Sequence, residues 1–166
     1  KKLSFLKFLR LDFSFCDSFP EAGFQVFRQS LKGLCYLQDV RLSLGEHKVA
    51  NKCLQSVVGC LKRLVSLRNL CLRFSHCNQI TDADLDIMSK NLKKFLSLNS
   101  LSLDFSSCHK ITDRGLQHLS ESFKRLIYLQ KIALEFNYCQ KITDVALEKL
   151  TEAFEEHMFL KEIWLN

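Results

Sequence analysis

The chain predicts an α/β solenoid, a stack of repeated strand-and-helix units, and three observations carry that prediction. Cys77, Cys108 and Cys139 recur every 31 residues, as do Leu72, Leu103 and Leu134. Ile80, Ile111 and Ile142 keep the same spacing, each opening an Ile-Thr-Asp triplet. Inside each copy, apolar residues first alternate with polar ones and then recur every three or four positions, so the period changes from that of a strand to that of a helix. A repeat of 20 to 50 residues marks units that cannot bury their apolar face alone and must stack on their neighbours. Function is therefore expected on surfaces rather than in a pocket.

The segment Leu98 to Tyr128 serves as the type unit. Leu101, Leu103 and Phe105 alternate with Ser102 and Asp104, which predicts a short strand with one buried face. Ser106 to Lys110 is a polar turn carrying Cys108. Thr112 or Asp113 is placed to cap the free amides of a following helix. Leu116, Leu119, Phe123 and Leu126 then recur at intervals of three and four, giving an amphipathic helix with one buried stripe.

The same frame fits the rest of the chain. Units are predicted at residues 6–36, 37–66, 67–97, 98–128 and 129–159, with a partial sixth at 160–166 that ends on its strand. Leu129, Ile132, Leu134, Phe136, Cys139, Ile142, Leu147, Leu150 and Phe154 are expected in the core of the fifth unit. Leu67, Leu70, Leu72, Phe74, Cys77, Ile80, Leu85, Met88, Leu92 and Phe95 take those places in the third. The first unit keeps Leu9, Leu11, Phe13 and Cys16 but has Phe19-Pro20-Glu21 in place of the triplet. The second is one residue shorter, and Gly45-Glu46-His47-Lys48 replaces the cysteine turn.

The run LxxLxLxFxxCxxITDxxLxxL, read at Leu67 to Met88, Leu98 to Leu119 and Leu129 to Leu150, resembles the leucine-rich repeats. Within them it is most similar to the cysteine-containing, ribonuclease-inhibitor-like branch, whose units pair a strand with a full α-helix. The likeness covers nearly the whole chain, although the unit is longer than the 20 to 29 residues usual for the class. It implies a right-handed α/β horseshoe of about five units, with a parallel sheet on the concave side and helices on the convex side. It also implies work done by binding other proteins.

Composition agrees with one leucine-rich-repeat domain over residues 1–166. Of the 166 residues, 47% are hydrophobic, including 14 Phe, enough for a continuous core. A single Pro leaves no linker. No stretch reaches the roughly 18 to 20 apolar residues of a membrane span, and no secretory leader opens the chain. Of the eight cysteines, Cys16, Cys77, Cys108 and Cys139 recur once per unit, while Cys35, Cys53 and Cys60 fall in or beside helices. Stacked but unpaired thiols point to a reducing, cytoplasmic compartment. The chain begins with Lys1, and Leu3, Phe5, Ile163, Trp164 and Leu165 leave apolar ends. It is therefore expected to be a segment of a longer protein, its ends covered by neighbouring repeats or subunits.

The cysteine column has no CxxC pair and its spacing is that of the repeat, so packing rather than metal binding or redox chemistry is expected. His76 and His109 stand beside Cys77 and Cys108, but no third and fourth ligand converge with them. The pairs Thr81-Asp82, Thr112-Asp113 and Thr143-Asp144 are assigned to helix N-capping, each cap being worth about 1 kcal/mol. No nucleophile with its base, phosphate-cradling loop or metal triad occurs, so neither enzyme activity nor a cofactor is expected.

Two surfaces are candidates for binding. Residues alternating with the buried strand positions form three rows on the concave face: Phe8, Asp39, Asn69, Ser100, Lys131 and Glu162; Arg10, Arg41, Cys71, Ser102, Ala133 and Trp164; Asp12, Ser43, Arg73, Asp104, Glu135 and Asn166. Arginines gather at the start and carboxylates at the end, with small residues between, and Trp164 is an aromatic of the kind that anchors interfaces. The residues proposed to touch a partner are Arg10, Arg41, Asn69, Arg73, Ser102, Asp104, Lys131, Glu135 and Trp164. The second surface is a basic ridge at the helix ends: Lys32, Lys62, Arg63, Lys93, Lys94, Lys124 and Arg125, interrupted by Glu155-Glu156. It holds much of the net charge of +6. Such cations also complement a helix macrodipole at about 0.3 to 1 kcal/mol each.

These features predict a non-catalytic interaction scaffold or recognition module that binds partner proteins through its concave face. A narrower alternative is the substrate-recognition arm of an F-box-type ubiquitin ligase, and a further one is binding of nucleic acid or another acidic surface through the ridge. Nucleic acid is the weaker reading, because the concave rows mix both signs and the ridge lacks interleaved aromatics. No small-molecule substrate is expected. Ribonuclease inhibition calls for a strongly acidic face, and this chain is basic.

Overall fold

The computed structural model describes residues 3–14, 21–31, 33–45, 50–61, 63–155 and 157–166, without the side chains of residues 21, 22, 24, 28 and 50–53. Strands and helices alternate: β1 (Phe8–Asp12), α1 (Glu21–Leu31), β2 (Asp39–Ser43), α2 (Ala50–Leu61), β3 (Asn69–Arg73), α3 (Asp82–Leu92), β4 (Ser100–Asp104), α4 (Asp113–Phe123), β5 (Lys131–Glu135), α5 (Asp144–Glu155) and β6 (Glu162–Leu165). The strands make one parallel sheet in chain order. Parallel neighbours need a long crossover, which the helix of each unit supplies. The fold is the leucine-rich-repeat α/β solenoid.

Register follows from repetition. Leu70 pairs with Leu101 and Leu101 with Ile132, so equivalent side chains form straight rows across the sheet. Val40, Leu42, Leu70, Leu72, Leu101, Leu103, Ile132 and Leu134 point to the helices and are buried, where Leu54, Leu61, Leu85, Met88, Leu92, Leu116, Leu119, Phe123 and Leu150 meet them. Just past the strands, Phe74, Phe105 and Phe136 stack with centroids 5.6 and 5.7 Å apart. Phe123 and Phe154 stack at 5.8 Å in the helix layer. Each such pair adds about 0.5 to 1.5 kcal/mol beyond its burial.

The turns after β3, β4 and β5 are more regular than their polar composition suggests. His76, Ser107 and Tyr138 occupy the left-handed region, with φ of 60°, 60° and 63°. That conformation lets the His76 amide donate to Ser106 O at 2.8 Å and the Ser107 amide to Asn137 O at 2.7 Å. The sheet ladder is thereby carried into the turns, which offsets the left-handed backbone cost. The thiols follow: Cys77 Sγ donates to Leu44 O at 3.3 Å, Cys108 Sγ to Phe74 O at 3.2 Å and Cys139 Sγ to Phe105 O at 3.3 Å. Each cysteine thus holds the carbonyl of the preceding unit. Cys16 lies outside the described residues, as do Phe19-Pro20 and Glu46-His47-Lys48.

Two expectations need correction. The Thr-Asp pairs are not simply caps: Thr112 and Thr143 do accept helix amides through Oγ1, from Arg114 and Val145 at 3.3 Å each, but the aspartates turn to the next unit. Asp82 takes the Thr112 amide at 2.8 Å and hydroxyl at 2.7 Å, and Asp113 takes those of Thr143, both at 2.7 Å. In α3 the Thr81 amide and hydroxyl are instead accepted by Asp84, both at 2.9 Å. The second correction is Leu147, which is 45% exposed where Leu85 and Leu116 are buried. Helices α3 and α4 have a packed helix on each side, whereas α5, among the described residues, packs against α4 alone.

Candidate interaction surface

Strand register decides which side chains share the helix-free face of the sheet. Arg10 lies opposite Arg41, Arg41 opposite Cys71, Cys71 opposite Ser102, Ser102 opposite Ala133 and Ala133 opposite Trp164. The flanking rows run Phe8, Asp39, Asn69, Ser100, Lys131, Glu162 and Asp12, Ser43, Arg73, Asp104, Glu135. Alternation puts all of them on one side because their neighbours face the core. Asn166 follows β6.

The arginine end is partly organised. Arg10, Asp12, Arg41, Ser43, Cys71 and Arg73 line a shallow cleft of about 230 Å³. Arg41 Nε lies 3.2 Å from Asp39 Oδ1, and its guanidinium carbon sits 5.6 Å from the centre of the Phe8 ring. The hydrogen bond to Asp39 raises the basicity of Arg41 further. Asn69 Nδ2 also donates to Asp39, at 3.4 Å. At Asp12 the Ser14 amide, 3.0 Å away, holds the carboxyl below its usual range. The Arg73 guanidinium makes no hydrogen bond or ion pair among the described residues, and Cys71, a small side chain, lines the same cleft.

The remaining candidates divide into free and engaged groups. Asp104 accepts from Ser75 Oγ at 2.6 Å and from the Ser106 amide at 2.9 Å, so its carboxylate is used in joining units. Lys131 Nζ is 2.7 Å from Glu162 Oε1. Ser102 and Glu135 are half-buried, and Trp164 is 69% exposed. The structure brings Arg10, Arg41 and Arg73 together; Lys131, Glu135 and Trp164 lie across the small middle rows from them.

Of the ridge, Lys93 and Lys124 are the C-cap residues of α3 and α4. Lys93 Nζ reaches Glu121 Oε2 at 3.8 Å, while Lys94, Lys124, Arg125 and Arg63 are exposed. Lys32, Lys62 and Glu156 lie outside the described residues. His76 and His109 are exposed, and His109 Nδ1 lies 3.1 Å from Tyr138 O. No group of three or more His, Cys, Asp or Glu able to hold a metal ion occurs among the described residues. No helix there is long and apolar enough to cross a membrane. A groove of about 570 Å³ also opens beyond α5, lined chiefly by Leu134, Phe136, Ile142, Leu147, Leu150 and Leu165.

Residues 98–120 match the family model described as "Leucine Rich repeat". No curated protein matches the chain in sequence. Among solved structures the fold is similar to "Leiomodin-1 Actin-Binding Site 2 (ABS2)", with a TM-score of 0.65 at 12% identity, covering 90% of this chain and 81% of that one. It is also similar to the tropomodulin C-terminal domain from Caenorhabditis elegans, with a TM-score of 0.63 at 12% identity, covering 86% of this chain and 82% of that one. The repeat match and these likenesses agree with the geometry: residues 98–120 read as a leucine-rich repeat, and the fold is that of a leucine-rich-repeat solenoid.

Proposed function

We propose that the chain is a non-catalytic protein-binding module whose partner lies against the helix-free face of the sheet. The observation that carries this reading is the convergence of Arg10, Arg41 and Arg73 on one cleft, with Trp164 exposed on the same face. A sheet in register collects side chains from successive units onto one rigid surface, so the guanidinium groups are positioned before a partner arrives. The similar fold of leiomodin-1 actin-binding site 2 supports macromolecular recognition as the use of such a surface. Helices of 11 or 12 residues support the ribonuclease-inhibitor-like branch. Thiols bonded to carbonyls rather than to each other support a reducing, cytoplasmic setting.

The test is affinity capture with the wild-type chain and with Arg41→Glu/Arg73→Glu, both checked for an unchanged circular dichroism spectrum. Reversal at the cleft is expected to abolish capture of the native partner, because it replaces complementary charge by repulsion. Lys94→Glu/Arg125→Glu is expected to retain that partner and change only the salt dependence. Loss of capture with the ridge variant alone would overturn the assignment to the sheet face.

A further inference from the structure

Helices α1 to α4 are each joined to the next strand by a tight turn closed by a backbone bond. The Leu37 amide donates to Leu34 O at 3.1 Å, Leu67 to Leu64 at 3.1 Å, Leu98 to Phe95 at 3.1 Å and Leu129 to Leu126 at 2.8 Å. Leu37, Leu67, Leu98 and Leu129 are buried, so the chain is pinned on the core side and the two residues inside each turn are left outside. Large apolar side chains stand there. Val65 is 77% exposed, Leu96 59%, Ile127 54% and Met158 92%, with Tyr36, Tyr128 and Phe159 each about half exposed. Tyr128 stacks on Phe159 at 6.2 Å and Tyr36 on Phe5 at 5.6 Å, so neighbouring tips touch. Because the strands that follow are in register, the tips line one edge of the solenoid over roughly 20 Å, at about 4.8 Å per strand.

Cations fringe this line on both sides. Arg63, Lys94, Lys124 and Arg125 precede the tips at the helix ends, and Arg68 and Lys161 follow them at the strand starts, all exposed. Opposing them are Glu121, which faces Lys93, and Glu155 at the end of α5.

We propose that this edge is a docking surface for an anionic lipid membrane, with the turn tips entering the interfacial layer and the flanking cations meeting the headgroups. Aliphatic and aromatic side chains beside Lys and Arg are the composition of peripheral membrane-binding surfaces, and Tyr and Phe suit the depth where apolar tails give way to headgroups. Two features favour lipid over a protein partner. The tips protrude from the turns, some of them stacked in pairs, a relief that a fluid layer accommodates and a folded protein would have to match pocket by pocket. Lysine is also depleted from protein interfaces, where holding its flexible stem and stripping its water are costly. The edge is distinct from the Arg10, Arg41 and Arg73 cleft, so docking would leave the sheet face free.

The test is co-sedimentation of the full chain with mixed phosphatidylcholine–phosphatidylserine vesicles and with pure phosphatidylcholine vesicles. Binding is expected to the mixed vesicles only. Val65→Ser/Leu96→Ser/Ile127→Ser and Lys94→Glu/Arg125→Glu are each expected to weaken it by about tenfold or more, while Arg41→Glu/Arg73→Glu leaves it unchanged. Leu96→Trp supplies a second reading, a blue shift of the added tryptophan over that of Trp164 when mixed vesicles are present. Absence of binding, binding that ignores the serine triple variant, or an unshifted Leu96→Trp spectrum would each overturn the proposal. A tip-dependent complex formed with an acidic polypeptide in preference to vesicles would do so as well.

Discussion

Asp113 and Thr143 are 30 residues apart in sequence and joined at two points: the carboxylate accepts the Thr143 amide and the Thr143 hydroxyl, both at 2.7 Å. Asp82 and Thr112 repeat the arrangement one unit earlier, at 2.8 and 2.7 Å. The start of each of these helices is therefore held by the helix before it. Replacing Asp113 by Ala leaves an amide and a hydroxyl without their acceptor, and is expected to lower the urea-unfolding free energy by about 1 to 3 kcal/mol. Asp144→Ala is the control. It removes a carboxylate at the same repeat position that makes no such bond among the described residues, and should cost less. Equal losses would mean that helix-end electrostatics, not the link between units, is what the aspartates supply.

Burial pushes the pKa of the Cys108 thiol far above its ordinary value of 9.0 and raises that of Cys139 as well. The thiol must stay protonated to donate to Phe74 O, and a thiolate there would have little water around it. A folded value above the unfolded one gives stability that is intact below pH 9 and eroded as pH climbs from there toward the folded value. Unfolding midpoints measured from pH 7 to 10 should accordingly fall at the alkaline end. Cys108→Ala should flatten that fall, and an unchanged alkaline slope in this variant would contradict the assignment. At pH 7 a maleimide should label exposed Cys35 rapidly and Cys108 only on unfolding.

Gly115 lets α4 sit close to α3. A methyl group there would come within 2.5 Å of Asp82 Oδ1 and 2.8 Å of Leu85 Cδ1. The Asp82 oxygen is not free to retreat, since it accepts the Thr112 amide. Gly115→Val is therefore expected to destabilise by about 1 to 3 kcal/mol through overpacking. Gly115→Ala should be better tolerated in an Asp82→Ala background, because the nearer and more firmly held obstruction is gone, the remaining Leu85 methyl is the far end of a side chain that can turn, and alanine favours the helix. Simple additivity of Gly115→Ala and Asp82→Ala in thermal unfolding would refute the contact.

Much of this architecture was legible because it is written several times. The alternation in Leu101, Leu103 and Phe105 and the helical spacing of Leu116, Leu119 and Phe123 each predict an element from nearest neighbours alone. Their recurrence one unit later, as Ile132, Leu134 and Phe136 and then Leu147, Leu150 and Phe154, predicts the stacking. The rows of the sheet face could be read for the same reason, and the register places Arg10 beside Arg41 as the alternation predicts. Leu147 departs from its expected burial because it shares a repeat position with Leu85 and Leu116, while its exposure depends on what lies against α5.

Sequence alone determined the unit, its order of strand and helix, and the side chains offered to the open face, because strand and helix periodicities and repeat stacking are local rules applied again and again. Only the tertiary structure decided how these side chains are used. The partner of Asp113 is Thr143 and not its own helix. Asp104 is engaged by Ser75 and Ser106 while the Arg73 guanidinium is unbonded among the described residues, and Val65, Leu96 and Ile127 line one edge. The physical reason is that hydrogen bonds and exposure depend on where the neighbouring unit sits in space, at distances of a few ångströms that no interval along the chain encodes.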